Sequence, residues 1–88
     1  MSTTRFVLVH GGQRRLPGAL LSVAHVGVDA DGAPAATVGV ATPEARSRHA
    51  LYPGGSLDVP GLGRLTVRDV LLGSTGGRGR VALEVESL

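Results

Sequence analysis

Three histidines, His10, His25 and His49, are the residues of this sequence best suited by type to metal binding or proton transfer. None has a second ligand at a spacing that metal sites use, so the sequence predicts no metal site and no cofactor. His25 stands apart because it shares a pattern position with Asp69, and a duplicated fold with a two-fold axis would bring such positions face to face. The chain has no cysteine, and Ser22, Ser47, Ser56, Ser74 and Ser87 lie outside any nucleophile-elbow context. Asp29 and Asp31 fall in a turn, while Glu84 and Glu86 share the solvent face of a strand. The run GSTGGRG from Gly73 to Gly79 lacks the Gly-Lys-Ser/Thr ending of a phosphate loop and no helix follows, so it reads as a hairpin tip. These absences predict a protein that is not an enzyme.

Positive charge remains. All nine basic residues are arginine, and Arg46 with Arg48, like Arg78 with Arg80, lie two positions apart, which in an extended segment points both side chains the same way. If the pairs converge, the four form a binding patch for phosphates or an acidic partner. Several features weigh against nucleic acid. The net charge is only +2, there is no Trp, and Phe6 and Tyr52 are too few to stack single-stranded bases. Glu44 and Glu84 dilute the patch, and the absence of Lys, Asn and Ile is what a GC-rich coding sequence produces. The expectation is therefore a non-enzymatic β module that binds another protein or itself. The alternative is a nucleic-acid-binding regulator that uses the arginine patch.

The elements that would carry these residues are short strands. Arg5 to His10 ends at Gly11-Gly12, Gln13 to Leu16 at the turn Pro17-Gly18, and Ala19 to Val28 at the turn DADGAP; Ala35 to Ala41 follows. Along Ala19 to Val28 the apolar period changes phase after Val23, which predicts a bulge near Ala24-His25. Leu65 and Val67 followed by Val70 and Leu72 predict the same device again. Thr42-Pro43-Glu44 has the form of a helix start, so a short helical turn is expected across 43 to 48. Strands at 49–52, 56–59, 64–72 and 80–86 complete the chain, the last with Val81, Leu83 and Val85 inward. Arg14 and Arg15 should face water on an edge strand.

The chain also quotes itself. Arg5, Leu8, Gly11-Gly12 and Pro17-Gly18 recur in order as Arg48, Leu51, Gly54-Gly55 and Pro60-Gly61, and after one inserted residue Leu21, Val23 and Val26 recur as Leu65, Val67 and Val70. Two units roughly 43 residues long are implied. The predicted architecture is all-β, a small barrel or sandwich in one domain over 1–88, with repeat one at 5–41, a linker at 42–47 and repeat two at 48–86. Gly11 or Gly12, and likewise Gly54 or Gly55, should have positive φ, and the aliphatic core, twelve Val and twelve Leu, should be thin enough to favour self-association. No signal peptide or membrane span is visible, so a cytoplasmic protein without a membrane partner is expected.

From His10-Gly11 through Leu21-Ser-Val-Ala-His-Val26 to Leu51-Tyr-Pro-Gly-Gly55, Val59-Pro-Gly61 and Leu65-Thr-Val67, the chain resembles a family of small uncharacterised all-β proteins from actinobacteria. That resemblance implies a β fold and brings no activity with it. Val38-Gly-Val-Ala-Thr-Pro-Glu44 followed by His49 is similar to the last strand and helix start of the carbon storage regulators, small RNA-binding β dimers. Ala50 stands where that family has a basic residue.

Overall fold

A computed structural model describes residues 2–73 and 79–87, which form eight strands: β1 (Thr3–Val9), β2 (Gln13–Leu16), β3 (Ala19–Val28), β4 (Pro34–Ala41), β5 (Arg46–Leu51), β6 (Ser56–Val59), β7 (Gly63–Leu71) and β8 (Arg80–Ser87). They pair into two four-stranded antiparallel sheets, β1-β8-β7-β6 (sheet I) and β2-β3-β4-β5 (sheet II). Neither sheet closes on itself, so the barrel alternative is replaced by two sheets with free edges sharing one core. Among the described residues there is no helix, and so none long and apolar enough to cross a membrane.

Alternation of side chains decides which face of each sheet is buried. Leu21, Val23 and Val26 of β3 and Ala36, Val38 and Val40 of β4 meet Leu65, Val67 and Val70 of β7 and Val81, Leu83 and Val85 of β8 in a single aliphatic cluster, with Phe6, Leu16, Leu51 and Leu57 packed at its edges. Leu51 is thus only partly buried where Leu8 is buried. The expected bulges are present, with register shifts between Val23 and His25 on β3 and between Val67 and Asp69 on β7. Each inserts one residue, Ala24 or Arg68, so that Val26 and Val70 still point inward despite the changed sequence phase. The re-aimed phase stops there, because Val28 and Leu72 are exposed.

Two corners carry the chain between sheets. After β1, the Gly11 amide donates to the Val23 carbonyl and the Gly12 amide to the Val9 carbonyl; after β5, the Gly54 amide donates to Val67 and the Gly55 amide to Tyr52. One glycine of each pair has the expected positive φ, and in both corners it is the first: Gly11 and Gly54 have φ of 84° and 87°, a conformation in which a Cβ is strained.

One expected element is wrong. Residues 43 to 48 form no helical turn: the β4–β5 connection is a tight hairpin over 42–45 in which the Thr42 amide donates to the Ala45 carbonyl and the Ala45 amide to Thr42 Oγ1. Thr42 does accept from a backbone amide three residues on, as an N-cap would, but Arg46 already pairs with Ala41 and draws the chain into β5. Strand β5 thus begins at Arg46, two residues before the expected start of the second unit.

Candidate functional site

The outer faces of the two sheets carry the side chains free to act on another molecule, and cross-strand register fixes what lies beside what. On sheet I, Arg5, Glu84 and Thr66 form one row, Val7, Ala82 and Asp69 the next, and Val9, Arg80 and Leu71 the third. The first row is electrostatically closed. Arg5 Nε lies 2.7 Å from Glu84 Oε1, and Arg68 reaches the other oxygen of the same carboxylate at 3.7 Å. Arg64 closes on Asp58 at 3.0 Å, and its guanidinium is held above the ordinary arginine range first by that bond and its charge, then by Glu86. The lower rows are different in kind. Val7, Val9, Leu71 and Leu72 stay 55%, 48%, 46% and 49% exposed, apolar positions on β1 and at the end of β7 that flank Ala82 and Arg80 of β8.

Sheet II repeats the geometry without the carboxylates. Arg15, Leu20, Ala41 and Arg46 make one row across all four strands, and Gln13, Ser22, Gly39 and Arg48 the next. No strand of this sheet contains an Asp or Glu; its nearest acidic residues, Asp29, Asp31 and Glu44, lie in the turns. Among the described residues Arg15, Arg46 and Arg48 are exposed and make no ion pair. Arg15 and Arg46 border a depression of about 530 Å³ at this end of the sheet, lined also by Leu20, Ala41 and Pro43.

The four arginines singled out in the sequence do not form one patch. Arg46 and Arg48 share the outer face of β5, as their spacing required, whereas Arg80 is on β8, on the outer face of the other sheet between Val9 and Leu71. Arg78 lies outside the described residues, as does most of the predicted hairpin tip at 73–79. The residue that joins Arg46 and Arg48 is Arg15, which sequence reasoning placed in water but not in a group. The signal available for it was strand alternation in β2, and its cross-strand partners only become known from register. Arg14, on the opposite face of β2, lies 4.7 Å over the Phe6 ring instead, covering the seam between β1 and β2.

Two of the three histidines meet, and His49 stands apart. His25 lies beside His10, ring centroids 5.4 Å apart and nearly perpendicular, and no ion pair links it to Asp69, whose carboxylate accepts the Val70 amide. His49 Nε2 is 2.8 Å from Ser47 Oγ at the seam between β5 and β6, bordering a depression of about 250 Å³ with Leu57 and Asp58. Among the described residues no three His, Asp or Glu side chains group as metal ligands would. Tyr52 Oη donates to Asp29 Oδ2 at 2.8 Å and ties the β5–β6 corner to the β3–β4 turn, where Asp29 Oδ1 also accepts the Asp31 and Ala33 amides. These bonds hold the Asp29 carboxyl below its usual range, the Tyr52 bond most of all, and the same carboxylate pushes the Tyr52 phenol up.

No protein-family model matches the chain, and no curated protein or solved structure matches it either.

Proposed function

We propose that this chain is a non-enzymatic β module that acts by association, with a second copy of itself or another protein, through the outer face of sheet I. The observation that carries the reading is the group of Val7 and Val9 on β1 and Leu71 and Leu72 at the end of β7, whose apolar side chains face water on either side of Ala82 and Arg80 of β8. Arg80 and Asp69 border the same patch in adjacent rows. A two-fold axis passing between Arg80 and Asp69 would set the Arg80 of one copy against the Asp69 of the other, so that burying the valines leaves neither charge alone. The four free sheet edges and the small aliphatic core favour the same outcome.

The same reading takes the chain as a duplicated unit, residues 5–41 and 48–86. Its support is the order of strands, in which β1-β8-β7-β6 becomes β5-β4-β3-β2 when each strand is advanced by four, together with the matching corner bonds and bulges. A duplicated scaffold keeps its inner faces alike and is free to give each outer face its own partner.

Sedimentation over a wide concentration range tests the association. The wild-type chain should be at least dimeric at high concentration, and Val9→Lys with Leu71→Lys should return a folded monomer. A strict monomer throughout, or an oligomer that the two lysines leave intact, removes the outer face of sheet I as the interface.

A further inference from the structure

The outer face of sheet II has the opposite character, and we infer that it is a sequence-independent binding surface for the phosphate backbone of a nucleic-acid duplex. Arg15 on edge strand β2 and Arg46 on edge strand β5 stand in one cross-strand row, three strand spacings or roughly 14 Å apart. Arg48 follows Arg46 on the same side of β5, roughly 6.8 Å further along an extended chain. Two rails of positive charge thus flank a floor of Leu20, Ser22, Gly39 and Ala41. Gly39 is itself covered, because the Ser22 hydroxyl lies over it where a Cβ would stand, and the two together make a small, flat step in that floor. Leu20 is the one large side chain in that floor, so a broad anion can lie across it with its charged groups against the flanking arginines.

Charge complementarity selects the occupant. Arg15, Arg46 and Arg48 have no carboxylate among the described residues to satisfy them, and Glu44, at the hairpin between β4 and β5, borders the depression at the β5–β6 seam rather than this one. The guanidinium is the group suited to phosphate oxygens, to which it donates in a fork. The floor has no aromatic side chain: Phe6 lies under Arg14 on the core side, and Tyr52 is bonded to Asp29. Unstacked bases would find no platform, which disfavours a single strand, whereas a duplex keeps its own bases stacked and offers only phosphates. The face stays open whether or not the chain associates through sheet I.

Three phosphate contacts give a log–log salt slope of about −2.7, so affinity should fall about 40-fold between 50 and 200 mM salt. The experiment is a fluorescence titration of a labelled mixed-sequence duplex, in DNA and RNA arms, with the full chain and with two variants of equal charge loss: Arg15→Gln/Arg46→Gln/Arg48→Gln on sheet II and Arg5→Gln/Arg64→Gln/Arg68→Gln on sheet I. Expected are binding at 50 mM salt with that slope, at least tenfold loss in the first variant, and less than threefold loss in the second. Amide shift mapping on the unmodified chain reads the contact directly, and its perturbations should centre on Ser22, Gly39 and Ala41. Equal loss in both variants, perturbations centred on β8, or no duplex binding at 50 mM salt each overturn the inference. So does tighter binding of a poly-glutamate peptide or of phosphatidylserine vesicles, which would make the surface one for acidic proteins or for membranes.

Discussion

Sheets I and II have the same number of strands, the same bulge in the second strand from one corner, and four arginines each, yet their outer faces behave as different surfaces. On sheet I the strands also carry Asp58, Asp69, Glu84 and Glu86, and Arg5, Arg64 and Arg68 are spent on them. On sheet II, Gly39 occupies the position between Arg48 and Ser22 that Glu84 occupies between Arg5 and Thr66. One residue in the middle of a row decides whether the flanking arginine is neutralised or available. A net charge of only +2 thus hides a nearly balanced face and an unbalanced one.

The comparison makes the inner faces equal and the outer faces unequal, and it breaks most visibly if the cores differ. Leu21 of sheet II and Leu65 of sheet I are both fully buried, so Leu21→Ala and Leu65→Ala should each cost about 2–5 kcal/mol in denaturant unfolding. A cost several times larger on one side would mean that one sheet alone sustains the fold. A sharper probe converts one outer face into the other. Ser22→Ala makes room for Gly39→Glu, because the Gly39 Cβ position lies 3.9 Å from the Ser22 Cβ, and the new carboxylate sits beside Arg48 as Glu84 sits beside Arg5. Duplex affinity at low salt should drop about tenfold, or about 1.4 kcal/mol, with little change in unfolding. An unchanged affinity would show that Arg48 is not a contact.

The reverse change is smaller. Glu84→Gln frees Arg5 and Arg68, both largely exposed, and should cost about 0.5–1 kcal/mol, less at high salt. The gentlest test is Tyr52→Phe at the corner. The Asp29 pKa is lowered by folding, so its contribution is present above the unfolded carboxylate value and disappears as pH falls through the folded one. The Tyr52 pKa is raised, so its contribution is present below the unfolded phenol value and disappears as pH rises through the folded one. Tyr52→Phe should therefore flatten the stability profile slightly at both the acid and the alkaline end while leaving the middle shape alone. Melting curves across pH that keep both limbs unchanged would show that the bond contributes nothing in solution.

Much of the scaffold was legible in the chain because its signals are local. A two-residue period names the inward Val81, Leu83 and Val85, a phase slip names the bulges after Val23 and Val67, and a glycine pair names each corner, since steric limits on φ act within one residue. The one local error, a helical turn after Thr42, arose because Thr-Pro-Glu suits a helix start and a hairpin alike, and pairing of Arg46 with Ala41 chose between them. What lay beyond the sequence was register and sheet assignment. Alternation places Arg15 outward, but only the tertiary structure makes 46–51 a strand with Arg46 and Arg48 on its outer side, sets Arg15 and Arg46 across one floor and puts Arg80 on the other side of the core, because strand pairing joins residues far apart in the chain.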